Sequence, residues 1–326
     1  MSTLDNSSIL ITGGTGSFGQ RFVRRILARH KPRRLVVYSR DELKQYDMAQ
    51  AIQAPQLRDF IGDVRDRERL ERALRGIDTI VHASAMKQVV AAEYNPIECI
   101  KTNVMGAENV INAAINCGVK RIIALSTDKA VNPINLYGAT KLCADKLFIA
   151  ANALAGRDGP RFAIVRYGNV VGSRGSDVPL FQKLRASGKL PITDPRMTRF
   201  WITLEQGAAF VERCLGLMSG GEVFIPKIPS MRVTDLASAM APECRQEIVG
   251  IRPGEKLHEC MIPHDEARLT REYDDFYVIL PAMPFGPTVE PLYDGSKGRP
   301  VAENFEYTSD ANDRWADRAQ LQEMIS

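Results

Sequence analysis

Apolar residues follow two alternating rhythms along this chain. Short, largely β-branched runs at Ile9–Thr12, Leu35–Tyr38, Arg58–Ile61, Thr79–His82, Arg121–Leu125, Phe162–Arg166 and Glu222–Ile225 have the length and composition of buried strands. Between them, residues 18–30, 41–52, 66–75, 93–117, 135–155 and 204–218 carry apolar positions at helical spacing. The last is the clearest, with Leu204, Ala208, Val211, Leu215 and Met218 forming a single stripe. Strands alternating with helices require right-handed crossovers, so the expected fold class is α/β with a parallel, doubly wound sheet. From Gly172 the rhythm breaks into short elements rich in Pro, Gly and Arg, such as a helix over Thr234–Met240. Two domains are therefore expected. Residues 1–171, rejoined by 201–226, build the sheet; residues 172–200 and 227–326 form a smaller substrate-binding domain.

The first strand empties into Thr12-Gly13-Gly14-Thr15-Gly16-Ser17-Phe18-Gly19. Glycines there allow a tight turn, close approach of a pyrophosphate and close packing of the next helix, whose N-terminal N–H groups face the anion. This is a Rossmann dinucleotide loop, and Gly13, Thr15, Gly16, Ser17, Phe18 and Gly19 are its candidate contacts. After the second strand come Ser39, Arg40, Asp41, Glu42, Leu43 and Lys44. Cations ahead of and one turn beyond the first acid favour NADP over NAD, although Ser39 with Glu42 also reads as a capping box. Asp63 and Val64 suit the adenine. Ala83 and Ala85 are small enough to lie against the nicotinamide ribose, with His82 a satisfied strand-end residue.

The chemistry concentrates between Ala124 and Lys141, where a strand delivers Ser126, Thr127, Asp128 and Lys129 and a helix carries Tyr137 and Lys141 on one face. An ammonium near a phenol lowers its pKa and makes it a usable base.

Bulk properties narrow the classes. The 326 residues are 44% hydrophobic and 25% charged, with a net charge of +4. That is too mild for a nucleic-acid binder, and Arg21 to Arg34 alternate with apolar residues as a solvated helix face would. Six cysteines without metal spacing fit a reducing compartment and no metal site. Neither a signal segment nor a membrane-length apolar run occurs, so a cytoplasmic protein free of the membrane is expected.

The glycine loop, Ser/Thr after the fifth strand and Tyr-x-x-x-Lys together resemble an extended short-chain dehydrogenase/reductase. The resemblance implies that Tyr137 is the acid/base for hydride transfer, that Lys141 tunes it and holds the ribose, and that Thr127 binds the reacting oxygen. Ser39–Lys44, Ser126–Ala130, Asn132–Lys141, Arg166–Ser176, Met197–Ile202 and Ile251–Glu259 further resemble the inverting UDP-N-acetylglucosamine 4,6-dehydratases. That family makes the first intermediate of pseudaminic acid, a sugar of bacterial flagella and surface glycans. Lys129, where retaining dehydratases carry Glu, marks the inverting group. The implied mechanism makes neutral Lys129 the base at C5 and protonated Asp128 the acid for the 6-hydroxyl. Neutral Lys129 requires a pKa lowered by about 3, on the order of 4 kcal/mol, whereas a salt bridge to Asp128 or a phosphate is the plainer alternative.

The resemblance also places Lys87, Thr102, Asn103, Asn169, Val170, Arg174, Thr198, Arg199 and Arg252 near the substrate, with Lys87 near the cofactor as well. Arg174, Arg199 and Arg252 suit a diphosphate; Asn103 and Asn169 read equally as scaffold at strand ends. Met86–Val90 departs from the family pattern, so Gln88 and Val90 are assigned no role. A homo-oligomer pairing the helices near 93–117 and 135–155 is implied. The rival readings are a retaining dehydratase, a UDP-sugar 4-epimerase and a dinucleotide-binding sensor without turnover.

Overall fold

The computed structural model describes residues 4–173, 177–283 and 293–325. Among them, ten strands form one sheet: β1 (Ser8–Thr12), β2 (Arg34–Ser39), β3 (Leu57–Ile61), β4 (Thr79–His82), β5 (Arg121–Thr127), β6 (Arg161–Tyr167), β7 (Val223–Pro226), β8 (Thr270–Glu272), β9 (Phe276–Ile279) and β10 (Arg299–Pro300). Their order is β10-β8-β9-β7-β6-β5-β4-β1-β2-β3. Pairing is parallel from β3 to β7 and antiparallel beyond it. The helices are α1 (Ser17–Arg29), α2 (Glu42–Ala51), α3 (Arg67–Leu74), α4 (Val89–Tyr94), α5 (Pro96–Ile100), α6 (Gly106–Asn116), α7 (Leu136–Ala155), α8 (Asp177–Leu184), α9 (Leu204–Leu217), α10 (Val233–Met240) and α11 (Arg318–Ile325). Strands β1 and β4 are buried along their whole length, as continuous apolar runs covered on both faces must be. Strand order reverses at β1, which pairs with both β2 and β4, so the loops after β1 and β4 border one crevice.

Two expectations change. The helix expected over 93–117 is broken into α4, α5, a π turn at Lys101–Met105 and α6. Pro96 opens α5, the one place in a helix where its missing N–H leaves no bond unmade. The domain boundary also differs, because β8, β9 and β10 extend the main sheet, and Met261, Ile262, Phe276 and Tyr307 sit in the main core. β8 and β10 are too short and polar to read as strands, whereas the buried run Phe276–Ile279 of β9 is apolar and was masked only by the Pro- and Gly-rich sequence around it. The second core is smaller and gathers Phe181, Leu190, Trp201, Met231 and Leu236. The strand Thr198–Ile202 lies between the two: Phe200 and Ile202 face the main core and Trp201 the smaller one, by simple alternation.

Gly19 shows how tightly α1 seats on the sheet. A Cβ there would stand 2.4 Å from the Gly14 carbonyl oxygen and 2.5 Å from its Cα, which are backbone atoms that cannot rotate aside. Gly19→Ala is expected to lower stability by about 1–3 kcal/mol in urea unfolding. Gly216→Ala, in α9 with nothing within 4 Å, is the control and is expected to cost nothing.

Candidate active site

A cleft of about 600 Å³ runs along the carboxyl edge of the sheet. Gly13 turns the chain after β1 with φ +67°, and a Cβ on it would come within 3.0 Å of the Ala83 backbone. The N-cap of α1 is Gly16, without a side-chain cap, so the first N–H groups of the helix remain available to an anion. Glycine-lined space and an uncapped helix end fit a dinucleotide pyrophosphate. Gly13, Thr15, Gly16, Ser17, Phe18, Gly19, Ser39, Arg40, Asp41, Lys44, Asp63, Val64, Ala83, Ala85, Lys87, Tyr137 and Lys141 all line this cleft.

Glu42 and Leu43 do not line it. They sit on the first turn of α2, and Leu43 is 69% exposed. The capping-box reading of Ser39 fails too, because Asp41 is the N-cap, accepting from Lys44 N at 3.0 Å and pairing with the Lys44 ammonium. Ser39 instead bonds Thr15 across the cleft mouth at 2.9 Å between hydroxyl oxygens. Arg40 is exposed, its guanidinium 3.6 Å from Asp63. The Asp63 carboxyl is pushed up by burial but held below its usual range by Arg65 and Arg40. His82 is buried against Thr12, 2.8 Å from its hydroxyl, and burial with the Lys141 charge pushes its pKa down to about 3.

The reactive groups meet at the end of β5. The strand stops at Thr127, and Asp128–Ala130 form a single 3₁₀ turn. Helix α7 starts against this turn, capped by Asn135 Oδ1 accepting from Gly138 N at 2.7 Å. Gly138 is what permits the approach, since a Cβ there would lie 2.1 Å from the Lys129 carbonyl oxygen. The turn sends Asp128 inward and Lys129 outward. Asp128 is fully buried and is not among the residues lining the cleft; its Oδ1 accepts from the Thr127 hydroxyl at 2.9 Å and from Lys129 Nζ at 3.0 Å. Direct protonation of a leaving group by Asp128 is therefore not what the geometry offers.

Lys129 also departs from expectation. Its Nζ lies 3.0 Å from Asn169 Oδ1 and 3.3 Å from Glu259 Oε1, in addition to Asp128. Burial and Arg199 push its pKa down, but Asp128 and Glu259 outweigh them and hold it above the ordinary lysine value. The salt-bridge alternative describes this state, and a neutral Lys129 requires one of its carboxylates to change.

Tyr137 is pushed up to about 12 by burial, with the charge of Lys129 and the Thr127 hydroxyl drawing it back. The cation foremost in that pull is Lys129, not Lys141. Lys141 donates to Leu125 O at 2.7 Å, and burial lowers its pKa against the opposing charge of Asp145 one turn further along α7.

A second cavity of about 290 Å³ adjoins the cleft, sharing Lys87, Gln88, Lys129 and Asn169 with it. Arg199, Arg252 and Lys256 also line it, so its walls are rich in positive charge. Lys87 is pushed down in pKa by its surroundings and by Lys129. Thr102, on the π turn, lines the cleft with a buried hydroxyl that has no partner, and Val170 lines it as well. Asn103 is scaffold: its amide grips both backbone groups of Met86 at 2.8 and 3.0 Å, positioning the loop that carries Lys87. Thr198 is buried between His258 and Ser309, at 2.8 and 2.7 Å, and reaches neither cavity. Arg174 lies outside the described residues.

These features are shared with known proteins. The family described as polysaccharide biosynthesis protein matches residues 9–281. Over 329 residues the chain is 56% identical to UDP-N-acetylglucosamine 4,6-dehydratase (inverting) of Campylobacter jejuni, covering 99% of this chain and 98% of that one. The chain belongs to the inverting UDP-N-acetylglucosamine 4,6-dehydratase family. Among solved structures, Pen from Bacillus thuringiensis superposes with a TM-score of 0.90 at 33% identity, over 99% of this chain and 98% of that one. DesIV of Streptomyces venezuelae, a dTDP-glucose 4,6-dehydratase with NAD bound, gives 0.69 at 25% identity, over 77% of this chain and 86% of that one.

Several residues of this dehydratase site escaped sequence reading. Glu259 carried no signal linking it to Lys129. Asp145 did, through its helical spacing from Lys141. Behind the site, Ser126 Oγ donates to Asp145 at 2.6 Å, and Arg166 joins Glu266 and the Met261 carbonyl at 2.9 and 2.8 Å, 3.9 Å from Asp145. Removing the Arg166 guanidinium leaves Glu266 without its ion pair and Asp145 with Lys141 alone as a neighbouring cation. Arg166→Ala is expected to cost about 3–5 kcal/mol, read from urea unfolding.

Proposed function

We propose that this chain converts UDP-N-acetylglucosamine to UDP-2-acetamido-2,6-dideoxy-β-L-arabino-hexos-4-ulose, oxidising C4, eliminating water across C5 and C6, and inverting C5. The observation that carries the reading is Lys129, set beside Tyr137 at the junction of the dinucleotide cleft and the cationic cavity. An epimerase needs no such group beyond Thr127, Tyr137 and Lys141. The glycine loop and α1 N-terminus hold the pyrophosphate of NADP, and Lys141 its ribose. Bound there, the nicotinamide would accept a hydride from C4 and return it to C6. Ser39, Arg40 and Lys44 would receive the 2′-phosphate, since the Asp41 carboxylate is already committed to the α2 cap and to Lys44. Lys87, Arg199 and Arg252 receive the diphosphate, with Thr102, Asn169 and Val170 towards the sugar.

Tyr137, neutral at rest, takes the proton of the 4-hydroxyl while Thr127 orients that oxygen. The resulting ketone acidifies C5–H, which Lys129 removes. The 6-hydroxyl leaves as water on a proton from the Asp128–Lys129 pair, Asp128 acting through Lys129. The product is the first intermediate of pseudaminic acid. All six cysteines are unbridged, which supports a cytoplasmic setting. Among the described residues no helix is long and apolar enough to cross a membrane. Exposed Tyr94, Ile97 and Met105, on α4 to the π turn, support a homo-oligomer through that face.

The protein incubated with UDP-N-acetylglucosamine in D₂O is expected to yield a product one water lighter, with deuterium at an inverted C5, by mass and NMR. Retained C5 configuration would place it with the retaining dehydratases, and unchanged mass with the epimerases. Tyr137→Phe should lower turnover by about 10²–10⁴-fold. Calorimetry should find NADP bound more tightly than NAD, with Arg40→Ala narrowing the difference by roughly tenfold.

A further inference from the structure

We propose that Glu259 is a second proton-holding group of this site, taking the ammonium proton of Lys129 so that the amine can remove the one on C5. The inference rests on the reading of Lys129 as the C5 base. Glu259 precedes the strand Cys260–Ile262, which packs against the Asp128–Ala130 turn, and its own N–H donates to Ser309 Oγ at 2.9 Å. Its carboxylate is 2% exposed as a residue, with Oε1 3.3 Å from Lys129 Nζ and 3.8 Å from Arg199 Nε. Its Oε2 is buried with no partner.

Of the two carboxylates on Lys129, Glu259 is the less satisfied anion. Each has one buried oxygen without a hydrogen-bond partner, Asp128 Oδ2 and Glu259 Oε2. Asp128 Oδ1, however, accepts hydrogen bonds from both Thr127 and Lys129, whereas Glu259 Oε1 has only its ion pairs at 3.3 and 3.8 Å. The groups facing the pair are Asp128 on the 3₁₀ turn, Tyr137 on α7, Lys87 after β4 and Arg199 on the strand Thr198–Ile202. Lys87 and Arg199 repel the ammonium, which assists its departure.

The step balances internally. After C4 is oxidised, the Lys129 N–H bond breaks and a Glu259 O–H bond forms, with no charge leaving the site. Lys129 then takes the C5 proton and delivers it to the departing 6-hydroxyl. As hydride returns to C6, C5 takes a solvent proton on its opposite face while Tyr137 releases to solvent the one it took from the 4-hydroxyl. Glu259 returns its proton to Lys129 as product leaves. The charged Lys129 first serves Tyr137, then becomes the base.

The test follows this step as release to water of the C5 deuterium of UDP-N-acetyl-[5-²H]glucosamine (C5 exchange), by NMR in single turnovers of NADP-loaded protein, because inversion leaves the product's own C5 hydrogen on the face away from Lys129. Wild-type exchange is expected to stay level between about pH 6 and 9, because the proton moves within the site. In Glu259→Gln, with Asp128 Oδ1 already accepting two hydrogen bonds, the ammonium is expected to lose its proton to solvent, so the amine form declines as pH falls. Exchange should then drop about tenfold for each pH unit below that ionisation, and Glu259→Asp should restore the level profile. A Glu259→Gln profile parallel to wild type overturns the proposal, whether its rate is lower or unchanged. Should the Gln variant fail to fold, the wild-type infrared difference spectrum with the 4-keto product decides. A protonated-carboxyl band that shifts with ¹³C-glutamate is expected; no band, or one shifting only with ¹³C-aspartate, overturns it. Lys129→Ala separates the two readings. Exchange surviving in that variant sinks Lys129 as the base, whereas its loss beside a parallel Glu259→Gln profile sinks only the role of Glu259.

Discussion

Lys129 is the charge around which the two halves of this molecule are joined. Its ammonium touches Asp128 from the main sheet, Asn169 from the segment after β6, and Glu259 from the far end of the chain. Buried charge is tolerated only when paired, and removing one partner of such a pair costs about 3–5 kcal/mol. The electrostatics thus bind distant segments together at the place where the cleft and the second cavity meet. The same charge acts on Tyr137, opposing the rise that burial imposes, and on Lys87, adding to the fall that burial imposes.

Backbone geometry makes that arrangement possible. Strand β5 ends one residue before Asp128, and the 3₁₀ turn that follows buries Asp128 while leaving Lys129 on the cleft wall, their side chains meeting at 3.0 Å. Gly138 lets α7 close onto the turn, bringing Tyr137 against Thr127 and Lys129. A straight strand would have faced Asp128 and Lys129 to opposite sides of the sheet. A longer loop would have left them free in solvent, where pairing and burial could not set their protonation.

The sheet supplies the frame. Parallel pairing brings the carboxyl ends of β1, β4 and β5 to one edge, and the switch at β1 opens the crevice there. The antiparallel extension by β8 and β9 anchors the segment that carries Glu259 and Glu266 to the main core. The same segment therefore reaches the site twice, once through Lys129 and once through Arg166 behind it.

The sequence by itself determined the parallel part of the fold, the dinucleotide loop and the reactive stretch. Each is a local pattern: strand and helix periodicity, glycines at a tight turn, and a tyrosine and lysine one helical turn apart. Local patterns are legible because the interactions behind them lie within a few residues. Tertiary structure alone decided that Asp128 is walled off, that Asn103 and Thr198 hold scaffold, and that Glu42 and Leu43 face away from the cleft. It also decided that Lys129 rests as a cation, because Glu259 arrives beside it by a route no spacing encodes. Desolvation and Coulomb interaction depend on what surrounds a group in space, and for a buried lysine that surrounding set its charge.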